Sequence, residues 1–479
     1  MARMIAFAST QFNQDAPRIG RCQPASAGPM FAPQTGGGTM RLLLATTAAL
    51  ALFTAGAAQA QTGSTEVELR QAIARDYDAN LEALFDDFHR NPELSGLEVR
   101  TAGIMAAQLT ALGYDVTTGV GGTGVVAVLR NGDGPTVMIR ADMDGLPLAE
   151  QSGVANPSTV HQVDSDGVEK PVMHACGHDV HITALIGTAR QMMARRQDWS
   201  GTLVLIAQPA EERIFGARAM VRDGLYTRFP KPDIALAFHV SADLATGLID
   251  VPLGITSSSS DSVDIAVHGV GTHGAYPHLG IDPIVVASSI VMNLQTLPSR
   301  SINPLEGAIV TVGSFHGGIK HNIISDRVDL QLTVRADNPE TRLALLDGID
   351  RVVRGTALAL GVSEQRLPTV VRSPTETTPP TINDAATAAR VRVAIGAAMG
   401  ADRLVDVART GMGAEDFAWF VTPETGVKGV YFNVGGTPAA DVATAPGHHS
   451  PLFRIDPRPS VTTGVEAMVV AAQALMPNG

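Results

Sequence analysis

Cysteine is almost absent from this sequence, aromatic residues are few, and basic residues are outnumbered by acidic ones. The two cysteines are Cys22 and Cys176, which allow one intrachain disulfide at most. Aromatic side chains make up only 4% of the residues, which argues against a platform for stacking nucleic-acid bases. The formal net charge of −12 also argues against a basic surface that binds nucleic acid. The composition therefore excludes a disulfide-rich scaffold and predicts no nucleic-acid partner.

What remains is an ordinary globular composition in a long chain. Hydrophobic residues make up 45% of the 479 residues and charged residues 17%. A chain of this length buries a sizeable core and is expected to fold into more than one domain.

Residues 40–60, "MRLLLATTAALALFTAGAAQA", have the layout of a secretory signal peptide. A basic start is followed by an apolar run and by Ala-Gln-Ala, which predicts cleavage after Ala60. The alternative is a buried helix. Residues 1–39 are either a disordered extension or lie upstream of a true start at Met40. We therefore expect a periplasmic or secreted protein with no stable membrane anchor after processing, in which Cys176 is the remaining thiol.

The body of the chain alternates between short apolar runs and helical patterns. The runs "GVVAVLR", "TVMIRAD", "TLVLIAQ" and "DIALAFHV" are continuous rather than alternating, which is typical of strands buried on both faces. They predict an α/β layered catalytic domain with a mixed, largely parallel sheet.

Near residue 254 the character changes, and a strand–helix–strand–strand–helix–strand pattern follows over about 115 residues. This pattern predicts a smaller α+β sandwich, a lid or dimerisation domain, that interrupts the catalytic domain. We assign 1–60 to the extension and signal peptide, 61–254 and 373–479 to the catalytic domain, and 255–372 to the inserted domain.

Polar groups follow several of the predicted α/β strands. Asp142 and Asp144 come after one strand, Glu211 and Glu212 after another, and His239 ends a third. Ligands of open α/β sheets bind outside the carboxyl ends of the strands, so these groups are expected to meet at one edge.

The loop "HACGHDVH", residues 174–181, lies between the first two of these strands. Cys176 and His178 are two apart, so they cannot share a helix face, but Gly177 allows a turn from which both converge. Asp179 is predicted to cap the helix that follows. His174 and His181 are expected to pack or to support the ligands rather than to bind metal.

A two-metal hydrolase explains the whole set. It needs oxygen and nitrogen ligands around two ions, a bridging water, and a carboxylate outside the ligand set that takes a proton from that water. Two adjacent glutamates can divide the tasks of ligand and base, and a thiolate favours borderline metals such as zinc.

The motifs resemble the amidohydrolase branch of the aminoacylase/carboxypeptidase metallopeptidases, which includes hippurate hydrolases and auxin-conjugate hydrolases. The resemblance covers residues 70–475 and rests on "RADMDGLP", "MHACGHDVHITALIG", "QPAEE", "GTHGAYPHLGIDP", "GGIKHNIISD", "GAEDFAWF" and "HHSPLF". It implies a homodimer that hydrolyses amide bonds in N-acyl amino acids or small peptides, with two divalent ions of zinc, manganese or cobalt.

The resemblance also implies individual roles. Glu211 would be the general base, Asp144 would orient a ligand, and His273 and Asn322 would contact the scissile carbonyl or the substrate carboxylate. The metal ligands would be Cys176, His178, Glu212, His239 and His449. His448 competes with His449, which is chosen because it directly precedes Ser-Pro.

Two other functions fit part of the pattern. Cys176 could be a nucleophile with His174 or His178 as its base. This alternative leaves four residues unexplained: Glu211, Glu212, His239 and His449. An inactive relative or a periplasmic binding protein on the same fold would be expected to have lost a ligand or the base, and none is lost here.

Overall fold

The computed structural model describes residues 66–478, so the predicted signal peptide and its cleavage site lie outside the described residues. The helices are α1 (66–76), α2 (Glu82–Arg90), α3 (Val99–Ala111), α4 (His178–Ala194), α5 (Gly216–Arg222), α6 (Leu225–Arg228), α7 (Pro283–Leu294), α8 (Pro339–Ala359), α9 (Ala385–Met399) and α10 (Pro457–Leu475). A π-helical turn, Tyr77–Leu81, joins α1 to α2. Within 66–478, no helix combines the length and hydropathy needed to cross a membrane.

Eighteen strands alternate with these helices in the described chain. They are β1 (Asp115–Val120), β2 (Gly124–Asn131), β3 (Thr136–Asp142), β4 (His161–Val163), β5 (Glu169–Pro171), β6 (Gly201–Gln208), β7 (Ile234–Ala245), β8 (Ile249–Asp250), β9 (Ile255–Ser257), β10 (Ser260–His268), β11 (Thr272–His273), β12 (Ala308–Gly317), β13 (Ile323–Ile324), β14 (Arg327–Ala336), β15 (Thr369–Thr378), β16 (Thr381–Ile382), β17 (Leu404–Val405) and β18 (Lys428–Thr437).

The largest sheet has eight strands in the order β1-β2-β6-β3-β7-β18-β8-β17. Its centre, β6-β3-β7-β18, is parallel, and β1 and β2 extend it by antiparallel pairing. The four apolar runs of the sequence are strands β2, β3, β6 and β7, as predicted. The α/β class with a mixed, largely parallel sheet is confirmed.

Helices cover both faces of this sheet. Along β3, Val137 and Ile139 point into a core formed with α4 and α10, whereas Met138 points into a second core that includes Met220 of α5. Burial on both faces explains why the strands are continuously apolar rather than alternating.

A separate antiparallel sheet, in the order β12-β14-β10-β15, carries α7 and α8 on one face and has its own hydrophobic core. Its elements follow the chain order strand, helix, strand, strand, helix, strand that the sequence predicts. Its last strand, β15, ends at Thr378, past the predicted boundary at 372. We keep the name inserted domain for residues 260–378.

Candidate metal centre

The cysteine–histidine loop is shaped by Gly177. This residue has a φ of 80°, and a Cβ built there would lie 2.3 Å from Val240 Cγ1, so only glycine fits. The prediction that Asp179 caps the helix is wrong: α4 begins at His178, Gly177 occupies the N-cap position, and Asp179 lies in the first turn. Asp179 instead pairs with His89, with 2.8 Å between Oδ2 and Nδ1.

His178 is fully buried and presents one ring nitrogen for a ligand. Its Nδ1 donates a hydrogen bond to the backbone oxygen of Asp144 over 2.8 Å, so the lone pair of the neutral ring lies on Nε2. That buried Nε2 has no hydrogen-bond partner, and it lies 3.8 Å from Glu212 Oε1, which has none either. Buried polar atoms are normally paired, and this arrangement suits a cation held between the two atoms.

His239 presents its ring in the same way. Its Nδ1 donates to the backbone oxygen of Val240 over 2.7 Å, and its Nε2 lies 3.4 Å from Cys176 Sγ. The sequence placed His239 at a strand end, which is wrong because β7 continues to Ala245. The neighbouring strand β3 pairs Arg140 with Ala237 and stops two residues later at Asp142, so His239 lies level with the end of β3.

Glu212 connects the imidazoles. Its Oε2 lies 3.3 Å from His449 Nε2, and ligand atoms of Cys176, His178 and Glu212 lie within 4.8 Å of one another. A second group with the same spacing contains Cys176, His239 and His448. The thiol therefore belongs to both groups, which fits a ligand shared between two ions.

The two C-terminal histidines differ in what their rings can do. His448 Nε2 accepts a hydrogen bond from the backbone nitrogen of Ala242 over 3.2 Å, so the lone pair of the neutral ring is occupied. His449 keeps Nε2 toward Glu212, and its φ of 62° is a left-handed conformation that is unusual for histidine. His449 thus faces Glu212, whereas His448 belongs to the group with Cys176 and His239, and the choice of His449 as the ligand stays a prediction.

The raised pKa values of two proposed ligands are consistent with a site for a cation. Burial, together with the nearby Glu212 and Glu211, raises the pKa of the Cys176 thiol well above its usual value. Burial also raises the pKa of Glu212, to about 7. A divalent ion would favour both anionic forms, so these residues fit a metal, and a thiol held neutral in its absence does not fit a nucleophile.

Glu211 is buried beside the proposed ligands, and its side chain accepts no hydrogen bond in the described structure. Burial and the neighbouring Glu415 and Glu212 raise its pKa well above that of a free glutamate. Its backbone nitrogen and that of Glu212 donate to the two carboxylate oxygens of Asp144 over 3.1 and 3.0 Å. Asp144 therefore holds the glutamate pair and, through its carbonyl, His178.

Sequence reasoning missed a buried ionic cluster behind the site. Arg140 is 2% exposed, and its guanidinium lies 2.8 Å from Asp142 Oδ2 and 2.7 Å from Glu415 Oε1. Asp142 also contacts His181 over 2.6 Å, and the supporting role of that histidine stays a prediction. The sequence feature that could have indicated this cluster is the arginine inside the apolar run "TVMIRAD".

Glu98 was also missed. It is completely buried, and its Oε1 accepts a hydrogen bond from the backbone nitrogen of Ala210 over 2.9 Å. Ala210 and Ile214, which flank the glutamate pair, have φ values of 49° and 55°. With His449 they are the three non-glycine residues at positive φ in the described chain, and such strain clusters at functional sites.

The centre opens into a cavity of about 570 Å³. Cys176, Glu211, Glu212, His239 and His449 line it. Further along its wall are Arg335 of the inserted domain, Arg409 and Tyr431. The cavity thus joins the proposed ligands, the proposed base and two guanidinium groups.

His273 and Asn322 do not line this cavity. They lie together on the inserted domain, where the backbone nitrogen of Gly274 donates to Asn322 O over 2.8 Å. Both are exposed, and they border a separate open depression. The Nδ1 of His273 accepts from the backbone nitrogen of Ala275 over 3.0 Å, so in the neutral ring Nε2 is the donor.

Comparison with known proteins adds to this geometry. The model of peptidase family M20/M25/M40 matches residues 138–474. The chain is 34% identical to YhaA of Bacillus subtilis, whose name places it among amidohydrolases, over 85% of this chain and 98% of that protein. It is 37% identical to the hippurate hydrolase of Campylobacter jejuni, over 59% of this chain and 71% of that enzyme. Among solved structures, YXEP of Bacillus subtilis, titled a dinuclear metal-binding peptidase, superposes with a TM-score of 0.68 at 28% identity, covering 84% and 99% of the two chains.

Proposed function

The chain belongs to peptidase family M20/M25/M40, and from this membership we propose that it hydrolyses the amide bond of N-acyl amino acids or small peptides with the help of two divalent metal ions. The resemblance predicted from the motifs is thereby confirmed. One observation of this structure carries the proposal. The unpartnered buried atoms His178 Nε2 and Glu212 Oε1 face each other beside Cys176, and the carboxylate of Glu211 lies next to them.

The chemistry divides between the ions and the chain. Bound ions would supply positive charge that polarises the scissile carbonyl and lowers the pKa of the attacking water molecule. Glu211 takes the proton of that water and passes it to the leaving amine, because its raised pKa suits a group that both accepts and returns a proton. Cys176, His178, Glu212, His239 and His449 would hold the ions. Thiol, imidazole and carboxylate ligands together suit zinc, manganese or cobalt.

The substrate is proposed to carry a free carboxylate. Arg335 lines the cavity, is half-buried, and makes no ion pair within 66–478, so it is available for an anion. Arg409 lines the same wall but is held by Asp337 over 3.0 Å. An N-acyl amino acid would place its amide at the metal centre and its carboxylate toward Arg335.

His273 and Asn322 are proposed to contact the substrate across a homodimer. They lie outside the cavity of their own chain, and the Nε2 of His273, an exposed residue, has no hydrogen-bond partner within 66–478. A second copy of the chain, joined through the inserted domain, would bring this donor to the carbonyl at the other metal centre.

The two alternative functions, a cysteine nucleophile and a non-enzymatic relative, agree less well with the structure. The buried thiol with its raised pKa argues against Cys176 as a nucleophile. A binding protein or inactive relative is not favoured either, because the base, the ligand set and the open cavity are all present.

A release assay tests the activity. We expect purified protein to liberate free amine from N-benzoylglycine, N-acetylated amino acids or dipeptides, and metal analysis of the same sample to find divalent ions. Chelation should abolish release, and re-addition of the metal should restore it, because the ligands remain folded around the site. Turnover that survives complete removal of metal would contradict the proposal.

Export is a separate proposal that rests on residues 40–60. Cleavage after Ala60 would leave a mature chain that begins at Gln61. Mass spectrometry of the protein from fractionated cells is expected to find this N-terminus in the periplasm or medium. An intact N-terminus in the cytoplasm would contradict it.

A further inference from the structure

A second cavity, of about 370 Å³, lies against the same loop as the metal centre but is lined by different residues. His174 and Asp179 of the loop border it, whereas Cys176 borders the metal cavity. None of the residues that line one cavity lines the other. The activity proposed above makes no use of this space.

His174 is the feature that points to a ligand. It is 2% exposed, and neither of its ring nitrogens has a hydrogen-bond partner in the described structure. Leaving a buried polar group unpaired costs roughly 1–3 kcal/mol, so such groups are rare without a reason. A neutral imidazole offers one donor and one acceptor, which complement a hydroxyl or an amide.

The walls are apolar and partly aromatic. Phe85 and Phe453 are buried side chains of the lining, and Ile455 packs beside them. Tyr77, another wall residue, begins the π-helical turn between α1 and α2. Such turns are uncommon and often mark functional sites. These walls can pack against the aromatic or aliphatic part of a ligand.

The charges around the cavity disfavour an anion. The lining contains three carboxylates and two basic groups. The carboxylates belong to Glu82, Asp86 and Asp179, and the basic groups to Arg454 and His89. Burial opposes protonation of His89, but its hydrogen bond to Asp179 and the carboxylate of Glu150, 3.4 Å from Nε2, prevail and raise its pKa to about 10. Its positive charge is thus already committed to two carboxylates, which leaves an excess of negative charge.

From these features we propose that the cavity is a second binding site, which takes a small uncharged molecule with an apolar body and a hydroxyl or amide end bonded to His174. The apolar body lies against Phe85 and Phe453. Val154 and the exposed Ala155 also line the cavity, and the proposed ligand enters past these two residues.

Ligand-observed NMR on the metal-loaded full chain tests the proposal, with benzyl alcohol as the probe and benzoate as its anionic counterpart. Val154→Trp, which fills the cavity from a wall away from the metal loop, should abolish benzyl alcohol binding. Benzoate binding should be the same in wild type and in Val154→Trp, because Arg335 at the metal centre is the group proposed to bind a carboxylate. His174→Leu should weaken benzyl alcohol binding about fivefold or more, the loss of one hydrogen bond. Val163→Trp, at an exposed position of β4, is the matched control and should bind like wild type.

The result has clear alternatives. Binding of benzyl alcohol that is unchanged in Val154→Trp would place the probe elsewhere and overturn the assignment. Benzoate binding that is lost in Val154→Trp as fully as that of benzyl alcohol would overturn the ligand class. Absence of binding by both benzyl alcohol and the amide benzamide would mean that water alone satisfies His174, which would also overturn the proposal. None of these outcomes depends on catalytic activity.

Discussion

Replacing Glu211 by glutamine is expected to lower kcat by a factor of about 10² or more while leaving the metal content of the enzyme unchanged. Glutamine keeps the size of the side chain but cannot take a proton from water. The backbone contact of residue 211 with Asp144 is preserved, so the loop should keep its shape. Turnover of an N-acyl amino acid and metal analysis of the same preparation check the two halves of this expectation.

Glu212→Gln is the matched control, since it makes the same chemical change one residue along. Its Oε1 and Oε2 face His178 and His449, so its loss should weaken metal binding. Activity of this variant should recover in part at high metal concentration, whereas that of Glu211→Gln should not. Metal loss in Glu211→Gln and not in Glu212→Gln would reverse the assignment of base and ligand.

Replacing His273 by alanine is expected to lower turnover by roughly 10²–10³, the effect of removing one hydrogen-bond donor from a developing oxyanion. The side chain is exposed on the inserted domain, so folding and metal content should stay near wild type. Its neighbour His278, also exposed on the inserted domain, is a suitable control, and His278→Ala should retain activity. A normal kcat for His273→Ala would make this residue an ordinary surface histidine.

Mixing variants tests whether His273 acts across a dimer. Inactive His273→Ala and inactive Glu211→Gln should regain part of the activity when their subunits exchange, because one of the two sites in a hybrid dimer then has both groups. Absence of recovery after exchange has been verified by mass spectrometry would contradict action in the partner's site.

Local sequence rules predicted most of the fold because its signals are local. The four apolar runs became strands β2, β3, β6 and β7, and the order of elements in the inserted domain followed from their periodicity. The strands that lead to the site, β3, β6 and β7, were identified from the same apolar runs. The loop at Cys176 was visible because three unusual residue types lie within eight positions.

Contacts between distant segments could not be read in this way. Glu98 bonds to Ala210, and Arg140 bonds to Glu415, across more than a hundred residues of chain. The difference between His448 and His449 depends on a hydrogen bond from Ala242, a residue whose position is set by the end of β7. Periodicity says nothing of such partners, because each depends on where the completed sheet places the backbone.

The central pairing of β7 with β18 has a consequence for how the chain matures. These neighbouring strands are Ile234–Ala245 and Lys428–Thr437, so the inserted domain is made between them. Pairing of such distant segments is slow, because a long loop must close before any contact forms. His239 precedes this loop and His449 follows it, so a truncated chain that ends before β18 would lack a complete metal centre. Metal binding would then occur only in fully folded chains, and an ion would stabilise only those chains in which β18 has paired with β7.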